Sequence, residues 1–432
     1  MRILWVKTDF LHPTTKGGHI RTLEILKRLH ARHEIHYVAF DDPGNPEGPR
    51  RSAEYCSRAY PVRHVVPRKD SPAFLGQLAA GLISPLPVTL RRCRSAAMRR
   101  RIEVLLAAHA FDRLVCDFLS PAPNIPRLSD WVLFQHNVES AIWRRHAEHA
   151  RDPVRRAYLR LQASRMLAYE GRVCREAGQV VAVSRHDAAT MRRWFDLSRV
   201  AVIPTGVNAE YFARPEPAPR VADLVFVGSM DWLPNADAVT WFSREILPLI
   251  RRRRPECTLA IVGRSPARTV AGLAAKDPRI LVTGTVDDVR PYLWGSTVSI
   301  VPLRIGGGTR LKIYEAMAAG APVVSTPVGA EGLEVSSPEN IRLAEAPGAF
   351  AEACLDLMEN AAARAGQALA AGELVRSRCS WEAVTGAFED VLERDGAAAA
   401  AMRDDAPVRA QASVAVRRVL VREGASSERY RE

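Results

Sequence analysis

The chain has 432 residues, more than one ordinary hydrophobic core supports, and this length predicts two domains. An apolar share of 47% and a charged share of 25% are typical of a globular protein, and the longest apolar stretch, 73–90, is broken by polar residues and prolines, which argues against a membrane span. The net charge of +13 suggests an anionic partner, but only 6 of the 61 basic residues are lysine, a bias typical of a GC-rich bacterial genome.

The sequence begins directly with a strand pattern, MRILWVKTDF, and shows no charged and apolar leader, so we expect the protein to stay in the cytoplasm. Its seven cysteines lie far apart and form no C-x-x-C pair. Such spacing predicts reduced, mostly buried thiols and gives no sign of a metal site.

The first half of the chain alternates strand and helix patterns. RILWVKT predicts a strand, Gly17–Gly18 a turn, IRTLEILKRLHAR a helix and EIHYVAF a second strand, which together make one βαβ unit. Further strands are predicted at 113–117, 131–135, 179–183 and 199–203. The alternation favours a parallel sheet flanked by helices over residues 1–203.

A proline-rich segment, 204–220, is the predicted linker. A second α/β series follows over 221–379, with strands predicted at 223–228, 258–263, 279–284, 298–303 and 321–326. The helix predicted at 380–395 ends the ordered part, and 396–432 is expected to be a disordered tail. Two doubly wound sheets would leave a ligand cleft between the carboxyl ends of their strands.

A glycine-rich loop follows the strand VSIVPL, in the stretch IGGGTRLKIYEAMAAG (305–320). Thr309 is a suitable N-cap for the next helix, whose free N–H groups, with Arg310 and Lys312, would favour a phosphate. Glu315, further along that helix, could accept hydrogen bonds from the hydroxyls of an attached sugar. An ordinary turn with a solvated glutamate is equally compatible with this segment alone. The Walker and G-x-G-x-x-G patterns are absent.

This stretch, continued through APVVSTPVGAEGL, resembles the donor-binding signature of the retaining glycosyltransferases of family 4. KGGHIRTLEILKRL, VVAVSRHD, VIPTGVNAEYF and CSWEAV are similar to other segments of that family, and FVGSMDWLPNADAV is similar to a subgroup found with bacterial exopolysaccharide genes. The resemblance covers about residues 1–394. It implies the α/β fold called GT-B, with two Rossmann-like domains facing across a cleft and a last helix that crosses back to the first domain.

The resemblance also implies roles for individual residues. Glu315 would hold the donor ribose, Gly307, Gly308, Thr309 and Arg310 would line the donor diphosphate, and Val286 would contact the nucleobase. Gly17 and Gly18 would approach the diphosphate from the first domain. His136 would lie near the transferred sugar and act in catalysis with Arg310 and Lys312, although a lone histidine after a strand is more often structural.

Two departures from the family pattern concern charge. The family's first glutamate falls on Gly307, and the Arg and Lys that many members carry after the strand at 223–228 are replaced within SMDWLPN. Neutralisation of the phosphates then falls to Arg310 and Lys312, with Arg304 and Arg264 as further candidates.

The implied function is transfer of a sugar from a nucleotide-diphosphate sugar to a saccharide or to a polyprenyl-linked or other lipid-linked acceptor, with retention and without a metal. The basic segment 91–106 combines arginines with an apolar run, so it could lie on an anionic membrane surface as well as in water. A nucleotide-sugar epimerase would need an acid and base pair that we cannot identify. A nucleic-acid-binding role is disfavoured, because no stacking motif or recognition helix is present.

Overall fold

The computed structural model describes residues 1–14, 17–64, 81, 84–150, 152–216, 218–305 and 310–403, with backbone only at 149 and 395–403. Two compact units divide the chain. Among the described residues, the first unit contains those within Met1–Val181 and Thr190–Ala201 and those from Ala387 to Arg403, and the second contains those within Ala182–Ala189 and Val202–Gly386.

A seven-stranded sheet forms the first unit within these ranges, in the order β3-β2-β1-β4-β5-β6-β7. The strands are β1 Arg2–Val6, β2 Glu34–Asp41, β3 Arg58–Arg63, β4 Arg113–Asp117, β5 Val132–Gln135, β6 Gln179–Ala182 and β7 Ala201–Val202. The pairs from β3 to β5 are parallel, with Trp5 opposite Tyr37 on one side and Val115 on the other. β1, β4 and β5 are almost wholly buried, and their residues are mostly apolar, as expected of parallel strands that helices cover on both faces.

The helices that follow these strands are α1 Gly17–His30, α2 Glu47–Arg50, α3 Val88–Arg92, α4 Ala96–Ala108, α5 Glu139–His149, α6 Pro153–Glu176 and α7 Arg185–Phe195. Local signals define several starts. The Ser95 side chain accepts a hydrogen bond from the N–H of Met98 and caps α4, and Asp152 caps α6 in the same way, with proline at the first helical position.

A six-stranded sheet forms the second unit, in the order β10-β9-β8-β11-β12-β13, as far as the structure describes the chain. All five neighbouring pairs are parallel. The strands are β8 Ala222–Val227, β9 Leu259–Val262, β10 Ile280–Val282, β11 Ser296–Val301, β12 Val323–Ser325 and β13 Arg342–Leu343. In each sheet, later strands are added in opposite directions from a central pair of strands, which is β1 and β4 in the first sheet and β8 and β11 in the second.

The helices of the second unit pack on its sheet around one apolar core. They are α8 Ala209–Phe212, α9 Leu233–Trp241, α10 Leu247–Arg253, α11 Arg268–Lys276, α12 Arg290–Trp294, α13 Leu311–Ala318, α14 Pro347–Glu359 and α15 Ala361–Arg378, with a π-helical turn at Phe242–Ile246.

The last helix, α16 (Trp381–Arg403), begins in the second unit and continues in the first. The Phe388 ring centroid lies 5.6 Å from that of Trp5 and 4.9 Å from that of Phe134, and Glu389 accepts a hydrogen bond from His33 at 2.6 Å. The predicted return of the C-terminal helix to the first domain is therefore present in the fold.

The structure differs from the sequence prediction at the sheet edges. Strands β3 and β13 were not predicted: β3 carries Pro61 and is partly exposed, as an edge strand can be, and β13 has only two residues. Segment 204–220 belongs to the second unit and contains α8. The helix α16 extends to Arg403, and the rest of the predicted tail lies outside the described residues.

The basic segment 91–106 includes most of α4, whose apolar residues Met98, Ile102 and Leu105 are buried. That face packs in the core and is not available to a lipid surface, so only the arginine-rich side remains for the predicted membrane contact. No helix in the described ranges is both long and apolar enough to cross a bilayer. All seven cysteines are unpaired and six are buried, as predicted.

Candidate functional site

The polar residues of the second unit gather where its central strands end. The chain passes from β8 to β9, toward one edge of the sheet, and from β11 to β12, toward the opposite edge. A crevice therefore forms between the carboxyl ends of β8 and β11. The turn after β8 holds Gly228 and Ser229, and the segment after β11 leads into α13. The predicted donor residues Lys312 and Glu315 are on this helix.

Lys312 lies in a tight, mostly apolar setting. Its Nζ donates a hydrogen bond to Oδ1 of Asn235 at 2.9 Å and lies 4.3 Å from the centroid of the Phe226 ring. Burial, together with the positive charge of Arg310, lowers the pKa of Lys312 to about 7. A Cβ atom at position 228 would lie 2.6 Å from Nζ and 2.8 Å from the side-chain nitrogen of Asn235, so a larger residue there would displace the ammonium group or the amide.

Glu315 follows Lys312 by three residues, on the same side of α13. Burial raises the pKa of its carboxyl group to about 7, and the charge of Lys312 opposes this shift only in part. No residue of the described chain donates a hydrogen bond to this carboxylate. A partly buried acceptor of this kind gains most from a ligand that brings its own hydroxyl donors.

Arg310 occupies the N-cap position of α13 and makes no side-chain cap. Thr309 had been predicted at that position, and the cap is one residue later. The Arg310 side chain is buried, with its guanidinium carbon 5.2 Å from the ring centroid of Trp232. The other predicted loop residues, Gly307 and Gly308, lie with Thr309 outside the described residues.

The two further candidates for phosphate neutralisation have different surroundings. Arg304 is held by both carboxylate oxygens of Asp237, at 2.6 and 3.1 Å, which offsets its charge. Arg264 donates to the hydroxyl oxygen of Ser229 at 2.7 Å and so reaches the turn after β8. Val286 lies in the loop after the edge strand β10, two strands away from β8 in the sheet order.

The first unit has a buried polar cluster at the equivalent place, where β1 and β4 end. Oδ1 of Asp117 accepts from Nζ of Lys7 at 2.8 Å and from Nε2 of His136 at 2.7 Å. Its Oδ2 accepts from Trp5 at 2.9 Å and from Thr22 at 2.7 Å. Burial disfavours the ionised carboxylate, but the charge of Lys7 and the donated hydrogen bonds outweigh it and hold the pKa of Asp117 below its usual range.

These contacts determine the tautomer of His136. Arg21 can only donate, and its Nη1 lies 3.1 Å from Nδ1 of His136, so Nδ1 accepts and the ring proton is on Nε2, facing Asp117. Burial lowers the pKa of His136 to about 3, which keeps the ring neutral. Both nitrogens are engaged within the unit and the residue is 2% exposed. Contact of His136 with the transferred sugar stays a prediction.

The predicted glycine turn lies beside this histidine. Helix α1 begins at Gly17, and a Cβ atom on Gly18 would lie 3.6 Å from Nδ1 of His136 and 3.5 Å from the Phe118 ring. The first turn of α1 therefore packs directly against His136, with Arg21 one turn further along.

Sequence reasoning did not identify Lys7, Asp117, Arg21 or Asn235. Lys7 and Asp117 do carry a signal, since each is a charged residue at the end of an otherwise apolar strand run. Parallel strands place such ends at the same edge of a sheet. Among the described residues, no group of three or more histidine, cysteine or acidic side chains is arranged to hold a metal ion.

Solved structures share this architecture over almost the whole chain. A sucrose-phosphate synthase from Thermosynechococcus elongatus matches with a TM-score of 0.67 and 17% identity, covering 92% of this chain and 100% of its own. Anabaena HepE in complex with UDP matches with a TM-score of 0.62 and 15% identity, covering 91% and 100%. The two doubly wound sheets and the returning helix thus define a GT-B fold.

Two family models match the sequence. One described as Glycosyltransferase Family 4 matches residues 15–211, and one described as Glycosyl transferases group 1 matches residues 222–360. The chain belongs to the GT4-like glycosyltransferases.

A curated relative, an uncharacterized 44.6 kDa protein in the cps region of Klebsiella pneumoniae, is 21% identical over 145 residues. The match covers 32% of this chain and 37% of that protein, so the chain spans little more than a third of the relative's length.

Proposed function

We propose that this protein transfers a sugar from a nucleotide-diphosphate sugar to an acceptor hydroxyl, and that the donor binds at the carboxyl ends of β8 and β11. One observation carries the proposal. A partly buried lysine and a partly buried glutamate lie one turn apart near the start of α13, and the glutamate receives no hydrogen bond from the described protein residues.

The cations suit a diphosphate. Negative charge builds on the leaving diphosphate as the glycosidic bond breaks, and Lys312, Arg310 and the N–H groups of α13 offer compensating positive charge. Since these groups are already held by Asn235, Trp232 and the helix backbone, they need little rearrangement during the reaction. They would stabilise the transition state more than the ground state.

The glutamate suits a ribose. A nucleoside presents two neighbouring hydroxyl groups, and an ionised Glu315 can accept from both. Such binding would lower the pKa of Glu315 toward its usual range, because the donated hydrogen bonds favour the charged form. The UDP and UDP-glucose complexes of Anabaena HepE support a nucleotide sugar as donor for this chain.

We further propose that transfer proceeds with retention, without a metal ion, and on the cytoplasmic side of the cell. The acceptor would be a saccharide or a lipid-linked saccharide of a bacterial surface polysaccharide. The cps-region relative and the structural match to WaaG, a glycosyltransferase involved in lipopolysaccharide biosynthesis, favour this role.

The experiment incubates the protein with a panel of radiolabelled nucleotide sugars and follows release of the nucleotide and the fate of the sugar. We expect one donor to be consumed, with product retaining the anomeric configuration. Arg310→Ala and Glu315→Ala should each abolish most turnover, whereas Arg244→Ala and Glu245→Ala, at exposed positions on the same unit, should not. Full activity of the first pair would remove the site assignment, and a donor epimer as the only product would indicate an epimerase.

A further inference from the structure

Glu170, on α6, is a buried carboxylate that none of the roles described above uses. It is 0% exposed, and its hydrogen-bond donors in the described part of the chain are uncharged. No lysine or arginine among the described residues forms an ion pair with it. A buried charge without a counter-ion is costly, and only several donated hydrogen bonds offset that cost.

The donors come from the two ends of one loop. Oε1 of Glu170 accepts from Nε2 of Gln135, the last residue of β5, at 3.4 Å, and from the N–H of Glu139, the first residue of α5, at 2.9 Å. Its Oε2 accepts from the N–H and from the hydroxyl group of Ser140, at 2.8 and 2.6 Å. A single carboxylate thus joins the end of β5 to the first turn of α5.

The loop between these two ends, 136–138, carries His136. The His136 ring is held by other residues, because its two nitrogens contact Asp117 and Arg21. The imidazole is therefore fixed by one set of contacts, and the backbone before and after it is fixed by Glu170. Release of the backbone would change the position of the whole loop relative to the sheet.

The first turn of α5 depends on this carboxylate. Its N-cap residue, Val138, makes no side-chain cap, so the free N–H groups of the helix need an acceptor from elsewhere. An anion is favoured at a helix N-terminus, and Glu170 supplies one from the neighbouring helix. An amide at position 170 could accept through one oxygen only, and its NH₂ group would face donors.

The charge of Glu170 is sensitive to pH. Burial raises its pKa to about 7, the donated hydrogen bonds oppose this shift, and the charge of Glu139 adds to it. On α6 itself the facing titratable group is Cys174, and burial raises the pKa of that thiol well above its usual range. Arg175 donates instead to the carbonyl oxygen of Phe195, at 3.3 Å. Glu170 therefore changes from neutral to ionised around neutral pH.

We propose that Glu170 is a positioning residue for the sugar transfer, and that its carboxylate fixes the loop that carries His136. The inference rests on the proposed transfer function. Because Glu170 is fully buried, it acts through this loop and not by contact with a substrate. A displacement of about 1 Å in a reacting group can cost about a hundredfold in rate, so a contact outside the site can control turnover.

The test compares Glu170→Gln with the unaltered full chain, using the radiolabelled nucleotide sugar that the panel described above shows to be consumed. We expect kcat to fall about tenfold or more while the donor KM changes less than about twofold, because the donor cations are on the second unit. Between pH 6 and 8, the ratio of the two kcat values should grow as Glu170 ionises in the unaltered protein. Lys312 and Glu315 titrate in the same range, but both remain in the variant, so this ratio reports Glu170.

Measurements on the free protein separate positioning from stability. The amide signals of Glu139 and Ser140 in a ¹⁵N–¹H NMR spectrum should titrate with a midpoint of about pH 7 in the unaltered protein and not in Glu170→Gln. Peptides covering 135–141 should exchange their amide hydrogens about tenfold faster in the variant. Glu148→Gln, at an exposed position of α5, is the matched control and should behave as the unaltered protein does.

Ser140→Ala removes one donor and keeps the carboxylate, so it should lower kcat in the same direction by a smaller factor. It also tests the proposal if Glu170→Gln does not fold. A kcat that neither substitution changes, or a lower melting temperature with normal kcat, would overturn the positioning role. So would amide signals of Glu139 and Ser140 that do not titrate. Failure of the unaltered protein to consume any donor would instead contradict the proposed transfer function.

Discussion

Each unit has one carboxylate of interest in the region that follows its central strands: Asp117 is the last residue of β4, and Glu315 is on α13, the helix after β11. Asp117 accepts four hydrogen bonds and has a lowered pKa, whereas Glu315 accepts none from the described residues and has a raised pKa. Burial acts in the same direction on both, so the difference comes from the donors around them. Asp117 receives its hydrogen bonds from within the protein, whereas we expect Glu315 to receive them from a ligand.

The comparison predicts opposite effects of removing the two carboxylates on stability. Asp117→Ala leaves Lys7 buried without its ion-pair partner and should cost about 3–5 kcal/mol, or about 10 °C in the melting temperature of this unit. Differential scanning calorimetry measures the effect, with Asp130→Ala as the surface control. A shift of Asp117→Ala no larger than that of the control would show that the cluster does not stabilise the fold.

Glu315→Gln should leave stability unchanged or raise it, because the substitution removes a partly buried charge that no described donor compensates. We expect Glu315→Gln to weaken UDP binding by about 10- to 100-fold, because the substitution removes charge-assisted hydrogen bonds to the ligand. Isothermal titration calorimetry with Glu245→Gln as control tests this. A destabilised Glu315→Gln protein with normal UDP affinity would reverse the comparison.

The pKa of Lys312 predicts how binding depends on pH. Since burial lowers it to about 7, Lys312 is cationic below this pH and neutral above it in the free protein, and binding of an anionic diphosphate takes up a proton. UDP affinity should therefore fall between pH 7 and 9, by up to about tenfold per unit. Lys312→Arg, which stays charged, should flatten the profile. An equally steep profile in that variant would assign the dependence to another group.

The smallest effect is expected at His136. With its pKa lowered to about 3, the ring should remain neutral with the proton on Nε2 from pH 8 to 5, a range in which a free imidazole with a pKa of about 6.5 becomes charged. Two-dimensional ¹⁵N–¹H NMR of the imidazole reports both tautomer and charge. A proton on Nδ1, or titration in this range, would contradict the described contacts with Asp117 and Arg21.

Much of the fold could be predicted from the sequence. Apolar runs ending near glycine or proline identified most central strands, and the glycine-rich loop with its following helix located Lys312 and Glu315. Edge strands β3 and β13 were missed because they are short or partly exposed and so lack an apolar run. The helix start was placed one residue early, at Thr309, because a threonine is a better N-cap by type than Arg310.

The partners of the site residues could not be predicted. Lys7 and Asp117 are 110 positions apart, and Lys312 and Asn235 are 77 apart. Which strand ends meet depends on the order of strands in the sheet, and local patterns do not specify that order. The protonation states follow from these distant contacts and from burial, so they too require the structure.

The central claim is that the donor nucleotide binds at α13 and the turn after β8. Amide hydrogen exchange of the full chain, followed by mass spectrometry with and without saturating UDP, locates the bound nucleotide directly. We predict slower exchange in peptides covering 310–318 and 228–235, and loss of this protection in Glu315→Gln at the same UDP concentration. Exchange rates that UDP leaves unchanged in both segments would contradict the account.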